Sequence, residues 1–277
     1  MTERPTAAEP AIPPLTAITG RTRLLAILAD PIVHVKAPPG INRIVAERGR
    51  DAVMVPLHVR PEDLRTVVDA LRTTQNFDGA IVTVPHKSAV TAFCDDLSDQ
   101  ARAVGAANVI RRTADGRIVG DALDGPGFVG GLVAAGIAPA GLAAYLVGAG
   151  GAASAIAFAL AKAGVARLTL ANRSRDKAAD LAVRVSAAFP SVTVTVGDRD
   201  PTGHDLIVNG TSLGMSPGDP LPLDIDGLSP SMIVAEVVME PEITPLLAAA
   251  QRAGARIHLG RPMLAQQLSL MADFFGL

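Results

Sequence analysis

The residues between positions 143 and 154 have the composition of a phosphate-binding turn. Ala143 to Val147 has the pattern of a buried strand, glycines follow at Gly148, Gly150 and Gly151, and a helix begins behind them. A chain bent in this way directs backbone N–H groups and the positive end of a helix dipole at one point, which suits a phosphate anion. Turns use glycine for positive φ whatever they bind. The strand before this turn and the helix after it nevertheless favour a dinucleotide site.

The following strand ends in Asn172-Arg173-Ser174-Arg175, with Lys177 shortly after, and no carboxylate stands at its tip. Sites for NAD usually carry Asp or Glu there, which accepts a hydrogen bond from the ribose 2′-OH. Arg173 can instead clamp a 2′-phosphate with two hydrogen bonds, Ser174 can add a hydroxyl donor, and Lys177 a point charge. A merely solvated basic loop is the alternative. These residue types favour NADP over NAD.

Two further residues could handle a proton. Lys87 follows a predicted strand, Gly79 to Pro85, and α/β sheets place their ligands at such strand ends. Asp124 opens a predicted helix that runs to about Ala135. Oxidation of an alcohol by a nicotinamide needs a group that takes the hydroxyl proton while hydride leaves the carbon. A carboxylate can hold a lysine ammonium for that task. Spacing alone does not pair the two residues, and a surface lysine and a helix-capping aspartate remain the alternatives.

Strands and helices alternate along the chain, which predicts an α/β protein. We expect a flexible tail over residues 1–20 and an α/β substrate-binding domain over 21–123. A Rossmann-type, doubly wound parallel sheet is expected over 124–261, and a closing helix over 262–277 is expected to pack back onto the first domain. Within the first domain, a helix is predicted over residues 88–97.

The composition limits the class of protein. The 277 residues are 49% hydrophobic and carry a formal net charge of −2, so there is no electrostatic argument for a nucleic-acid or membrane partner. One cysteine, Cys94, excludes an intramolecular disulfide and a cysteine-based metal site, and no metal is expected. No apolar run reaches membrane-spanning length, and the first twenty residues lack the order of a signal peptide. We therefore expect a cytoplasmic protein with a small-molecule partner.

From about Thr22 to Gly276 the sequence resembles the shikimate dehydrogenases, with motifs in the same order and at similar spacings. The similar segments are Asp30 to Pro38, Ile81 to Lys87, Gly105 to Asn108, Gly120 to Gly125, Gly148 to Ala152, Asn172 to Ser174, Asn209 to Met215, and the closing helix with Met263 and Gln267. The resemblance implies a two-domain fold and NADP-dependent interconversion of 3-dehydroshikimate and shikimate or a related cyclic hydroxy acid. A homodimer is compatible with it.

The resemblance also implies residue roles. Lys87 takes the catalytic lysine's place and Asp124 that of its partner, while Thr83, Asn108 and Gln267 take places at the substrate. The implied cofactor-binding residues are Gly148, Ala149, Gly150, Gly151, Ala152, Asn172, Arg173, Ser174, Lys177, Thr211, Ser212, Gly260 and Met263.

The sequence departs from the family at the substrate. Val35 and Ala37 replace two serines that usually bind the substrate carboxylate, and Met239 replaces a tyrosine. Ala122-Leu123 replaces an Asn-Thr pair. Hydrogen bonds to a charged ligand are worth on the order of 1.5–3 kcal/mol each, so the loss of two predicts roughly 100- to 1000-fold weaker binding of shikimate. The candidates for a replacement anionic handle are His34, Lys36, His86 and Arg261.

Three alternatives stay open at this point. The protein could be a diverged paralogue acting on another alcohol, or an NADP-binding sensor without turnover. It could also be another two-domain NADP enzyme, such as a methylenetetrahydrofolate dehydrogenase or a ketoacid-type reductase. Retention of both Lys87 and Asp124 argues against the sensor. The spacing between them, and the helix with Gln267, argue against the other enzymes.

Overall fold

The computed structural model describes residues 18–277, so the predicted tail lies almost wholly outside the described residues. The first of its two β-sheets contains both parallel and antiparallel strands. The strands are β1 (Arg23–Ala29), β2 (Ala52–His58), β3 (Phe77–Val82), β4 (Asp96–Leu97), β5 (Val109–Arg112) and β6 (Ile118–Asp121), in the order β2-β1-β3-β5-β6-β4. Strands β1, β2 and β3 are parallel, and β5 is antiparallel to β3 and β6.

Helices α1 (Ala37–Glu47) and α2 (Leu64–Thr73) belong to this part of the chain. The helix predicted over residues 88–97 is wrong: a short 3₁₀ helix (Ala89–Phe93) and strand β4 occupy that segment. A helix that we did not predict, α3 (Asp99–Val104), follows. Its start is set by Ser98, whose hydroxyl accepts a hydrogen bond from the amide of Ala101 at 3.0 Å, as N-cap serines do.

The second sheet is wholly parallel. Its strands are β7 (Ala143–Val147), β8 (Arg167–Ala171), β9 (Thr193–Val196), β10 (Leu206–Asn209), β11 (Ile233–Glu236) and β12 (Arg256–His258). Their order, β12-β11-β10-β7-β8-β9, changes direction beside β7, which is the doubly wound arrangement. Helices α5 (Gly151–Lys162), α6 (Arg175–Ala188) and α7 (Pro245–Arg252) connect them. The predicted α/β fold class with a Rossmann-type parallel sheet is therefore confirmed.

Helix α4 (Asp124–Ala134) lies between the two sheets in sequence and packs on both α5 and α8 (Arg261–Phe275). Helix α8 also packs on α1, β3 and β5, so the closing helix returns to the first sheet. The division of the chain into domains at residues 123 and 261 stays a prediction. Within residues 18–277, no helix is long and apolar enough to cross a lipid bilayer.

Both faces of β1 are buried, which is the pattern of a strand covered by helices on each side. Leu25 and Ile27 pack with Met271 of α8 on one face. Ala26 and Leu28 pack on the other face with residues of α2. The alternation of neighbours along β1 follows from the two-residue period of a strand. Because both faces of the sheet are covered, polar functional residues lie at the carboxyl ends of its strands.

Candidate active site

Lys87 and Asp124 meet. Nζ of Lys87 lies 2.6 Å from Oδ2 of Asp124, and both side chains are largely buried, with 18% and 9% of their surface exposed. An ion pair removed from water in this way is held more firmly than a surface pair, because solvent screens it less. The residues are 37 positions apart in sequence, and the structure brings together the two that sequence spacing alone could not pair.

The second oxygen of Asp124 accepts two amide donors. Nδ2 of Asn108 lies 2.9 Å and Nε2 of Gln267 lies 2.7 Å from Oδ1. Both amides are buried. With Lys87 on one oxygen and two amides on the other, the carboxylate is fully engaged and its orientation is fixed. Four residues from three parts of the chain thus form one hydrogen-bonded group, which we call the carboxylate cluster: Lys87, Asn108, Asp124 and Gln267.

Backbone hydrogen bonds hold the first-sheet members of this cluster. The carbonyl of Asn108 accepts from the amide of Val82 at the end of β3, and its own amide donates to the carbonyl of Asp121 at the end of β6. The carbonyl of Lys87 accepts from the amide of Ala107 at 2.8 Å. Oδ1 of Asn108 also accepts from the amide of Leu123 at 2.6 Å, just before α4 begins.

A glycine lets Gln267 reach the cluster. A side-chain carbon at position 127 would overlap Cγ of Gln267, so α4 and α8 approach this closely only because Gly127 has none. Helix interiors disfavour glycine, and here the close approach explains its presence. Asp124 is the first residue of α4, where the positive end of the helix dipole favours a carboxylate.

The predicted phosphate turn faces the carboxylate cluster. Gly148 has φ of +120°, which only glycine adopts readily, and Gly150 is the N-cap of α5. A side-chain carbon at position 151 would lie 3.9 Å from Cδ of Lys87. Lys87 therefore stands between Asp124 and the turn. Ala149 is partly buried, and Ala152 lies half-buried in the first turn of α5.

A cavity of about 630 Å³ opens beside the end of β8. Asn172, Arg173, Thr211 and Ser212, all predicted, line it. Ser174 and Lys177 are exposed and do not line it, although Ser174 is the N-cap of α6. The cavity lies where a doubly wound fold binds nucleotides, at the change of strand order.

Two arginines of this cavity were not predicted as cofactor-binding residues. Arg175 and Arg199 both line it. Arg199 is fixed by Asp224, whose Oδ1 lies 3.0 Å from its Nε, and by the carbonyl of Leu221. Arg175 adjoins the predicted motif and could have been included with it. Arg199 carries no motif, and only the tertiary fold brings it to the cavity.

Three of the residues at which the sequence is predicted to depart from the family, Val35, Ala37 and Leu123, form an apolar wall. Ala37 and Leu123 are buried in one hydrophobic cluster, and Val35 packs against it. Thr83 and Met239 are partly buried in loops that follow β3 and β11. Leu123 directly precedes Asp124, so this wall adjoins the carboxylate cluster.

The four residues predicted as candidates to bind the substrate's carboxylate either have other partners or are exposed. His86 is buried and its Nε2 lies 2.7 Å from the carbonyl of Val59, so its role is structural. Nζ of Lys36 lies 3.1 Å from Oε1 of Glu240, in an exposed ion pair that joins the loop after β1 to the loop after β11. His34 and Arg261 are exposed.

The two remaining predicted residues lie near α8. Gly260 precedes the helix and lies against the backbone of Val238, where a side chain would overlap the carbonyl. Met263 is buried in the main core of the second sheet and packs on α4. Cys94 is partly buried, and burial raises the pKa of its thiol to about 11. It is therefore an unreactive, small apolar residue.

Comparison with known proteins identifies the family. Residues 27–110 match the shikimate dehydrogenase substrate binding domain, and residues 136–200 match the shikimate/quinate 5-dehydrogenase domain. The chain is 40% identical over 260 residues to the shikimate dehydrogenase (NADP(+)) of Rhodospirillum rubrum, with 90% of each protein covered.

Two solved structures have the same fold. The shikimate 5-dehydrogenase of Listeria monocytogenes, in complex with shikimate and NAD, has a TM-score of 0.87 at 30% identity, covering 94% of both chains. The ligand-free 5-ketofructose reductase of a Gluconobacter strain, CHM43, has a TM-score of 0.84 at 29% identity, covering 93% of this chain and 94% of that one.

Fold and site together define a two-sheet α/β protein with a dinucleotide-type turn beside a buried lysine–aspartate pair. The matches are more specific. This chain belongs to the shikimate dehydrogenase family, as the sequence resemblance predicted.

Proposed function

We propose that this protein is an NADP-dependent oxidoreductase that interconverts 3-dehydroshikimate and shikimate or a closely related cyclic hydroxy acid. One observation carries the proposal: Nζ of Lys87 lies 2.6 Å from Oδ2 of Asp124, while Cδ of the same side chain would lie 3.9 Å from a side-chain carbon at Gly151 in the glycine turn. A proton-transferring pair and a nucleotide site thus adjoin each other. The relatives named as shikimate dehydrogenases support this substrate class.

The residues present fit NADP. Gly148 makes the tight turn, where a side chain would crowd Gly210, and a side-chain carbon at Gly150 would meet no atom within 4 Å, which leaves the backbone there open to a pyrophosphate. Arg173 lines the neighbouring cavity at the position where a 2′-phosphate would be expected, and no acidic residue takes its place. When bound, NADP exchanges a hydride with the substrate carbon.

The four residues of the carboxylate cluster then have different roles. Lys87 exchanges the hydroxyl proton: it donates one to the substrate oxygen in reduction and takes one back in oxidation. Asp124 holds the lysine in place, and Asn108 and Gln267 hold Asp124. Burial of the pair excludes water, which keeps the proton transfer between defined atoms.

A substrate panel tests this function. Purified protein is assayed for NADP and NAD reduction with shikimate and quinate, and for NADPH oxidation with 5-ketofructose, while nucleotide binding is titrated separately. Turnover of shikimate or quinate with a preference for NADP is expected. Nucleotide binding without turnover of any member would contradict the enzyme and favour a sensor. Turnover of 5-ketofructose alone would contradict the proposal that the substrate is shikimate or a related cyclic hydroxy acid.

We further propose a cytoplasmic location and a homodimer. Reduction of a small metabolite with NADPH supports the cytoplasmic location, and fractionation of cells that express the tagged protein tests it. Sedimentation of the purified protein tests the homodimer, and a monomer at micromolar concentration would overturn it.

A further inference from the structure

A buried acidic residue outside the carboxylate cluster has no role in the chemistry described so far. Glu236 ends β11 and has no exposed surface. Its carboxylate accepts hydrogen bonds from Nδ2 of Asn209 at 3.0 and 3.1 Å and from Oγ1 of Thr244 at 2.8 Å. The amide of Val238 points at it from 3.5 Å. Every group that contacts this carboxylate is therefore able to donate.

The principal contact leads to the nucleotide cavity. Asn209 is itself fully buried, and it pairs with Glu236 in the register of β10 and β11. Its Oδ1 accepts from the amide of Thr211 at 3.0 Å and from the hydroxyl of Thr211 at 2.7 Å. Its Nδ2 also donates to the carbonyl of Leu213 at 3.0 Å. Thr211 and Leu213 line the cavity, so one amide side chain shapes the turn that forms this wall.

The same turn packs on the phosphate turn. A side-chain carbon at position 210 would lie 2.9 Å from Cβ of Ala153 and 3.2 Å from the carbonyl oxygen of Val147. A side-chain carbon at Gly148 would in turn lie 3.1 Å from the carbonyl of Gly210. The two turns are in close contact, so a displacement of Asn209 moves both walls of the nucleotide site.

We infer that Glu236 is a positioning residue for nucleotide binding, acting through Asn209 on the turn from Gly210 to Leu213. The inference rests on the proposed function, since it assigns a role toward the same cofactor. An acceptor is needed at this point because Asn209, when it presents Oδ1 to Thr211, directs the two N–H groups of Nδ2 at Leu213 and Glu236. Without Glu236, one N–H of that amide would be buried and unpaired, at a cost that favours rearrangement of the side chain.

Replacement by an apolar residue and by an amide separates positioning from simple core packing. Glu236→Leu keeps the volume and removes the acceptor. Glu236→Gln keeps an acceptor for Asn209, because its own amide can donate to Oγ1 of Thr244. If the leucine variant does not fold, Glu236→Met replaces it, since methionine adapts to irregular space. Val68→Ala is the control for lowered stability: it removes buried volume from α2, in an apolar cluster of the first sheet that includes no residue of the nucleotide turns.

The experiment titrates NADP against each folded variant and, in parallel, measures KM for NADP and kcat. We expect Glu236→Leu to weaken NADP binding and raise its KM by 10-fold or more, with kcat changed by less than about 3-fold. Glu236→Gln and Val68→Ala should stay within 3-fold of wild type. Equal NADP affinity in Glu236→Leu and wild type would overturn the inference and leave the proposed function intact. Failure of wild type to bind NADP would overturn the proposed function, and this inference with it.

Discussion

Positions 35 and 37 carry apolar side chains where the sequence resemblance predicts serines that bind the substrate carboxylate. Val35 and Ala37 join the apolar cluster beside Asp124, and the nearest candidate cations are engaged elsewhere: Lys36 pairs with Glu240, and His86 contacts a carbonyl. This wall therefore offers a carboxylate few donors.

The double substitution Val35→Ser/Ala37→Ser restores two hydroxyl donors. We expect KM for shikimate to fall by about 10- to 100-fold, since each hydrogen bond to a charged group contributes about 1.5–3 kcal/mol before desolvation of the new hydroxyls. Steady-state kinetics with shikimate measure it. Val133→Ser, on an exposed position of α4, is the control. An unchanged KM would mean that these positions do not face the carboxylate.

Arg173 gives a prediction about cofactor choice. It lines the cavity and its side chain is exposed, so its guanidinium can reach a 2′-phosphate. Arg173→Ala should weaken NADP binding by about 10- to 100-fold and NAD binding by less than 3-fold, because only NADP carries the extra phosphate. Isothermal titration with both nucleotides measures this, with Arg252→Ala on α7 as the control. Equal losses for NADP and NAD would contradict the assignment.

At the scale of elements, the contact between α4 and α8 controls the carboxylate cluster. Gly127 faces Gln267, whereas Gly130 of the same helix faces only the flexible side chain of Gln266. Gly127→Ala forces the helices apart and should destabilise the protein by about 1–3 kcal/mol.

Catalysis should fall with it, because Gln267 loses its place on Asp124; we expect a 10-fold or greater loss of kcat. Gly130→Ala is the matched variant, and it should be neutral or slightly stabilising, since alanine favours helix by up to about 1 kcal/mol. Urea unfolding and steady-state kinetics measure both. If the two variants behave alike, helix contact at Gly127 does not control the site.

Glu236, at the end of strand β11, is expected to make the stability of the protein depend on pH. Burial raises the pKa of Glu236 from 4.5 to about 7, against the opposing hydrogen bonds from Asn209, Thr244 and the amides of Val238 and Val237. Because the folded protein holds this proton more tightly than the unfolded chain, the contribution of Glu236 to stability falls as pH rises from about 4.5 to about 7.

Glu236→Gln removes the titration. Its free energy of unfolding, compared with that of wild type, should therefore rise by about 3 kcal/mol between pH 4.5 and pH 8. Urea unfolding of both proteins across this range measures the difference. A difference that stays constant with pH would show that Glu236 titrates normally in the folded state.

At the scale of the whole molecule, local patterns predicted the second sheet better than the first. Strand β8 lies at Arg167–Ala171 as predicted, because apolar strands and helical periods alternate plainly there. The helix predicted over residues 88–97 is wrong because the apolar residues of the 3₁₀ helix resemble a helical turn, whereas the Ser98 cap begins α3 only after it.

The candidate site was only partly predictable. Strand ends and a glycine turn marked Lys87 and Gly148 individually, but the pairing of Lys87 with Asp124 came from family resemblance. Arg199 lines the nucleotide cavity, and Glu236 contacts Asn209 through the register of β10 and β11; no local motif records either contact. Long-range contacts of this kind are set by the tertiary fold.

The central claim is that Lys87 exchanges the substrate's hydroxyl proton beside a bound nucleotide. The most direct measurement compares Lys87→Ala with wild type and with Lys162→Ala, an exposed lysine on α5, for NADP affinity and for NADP reduction by shikimate or the best substrate of the panel. We expect kcat of Lys87→Ala to fall by about 100- to 10,000-fold, with NADP affinity within 3-fold of wild type. Activity of Lys87→Ala equal to wild type would contradict the account.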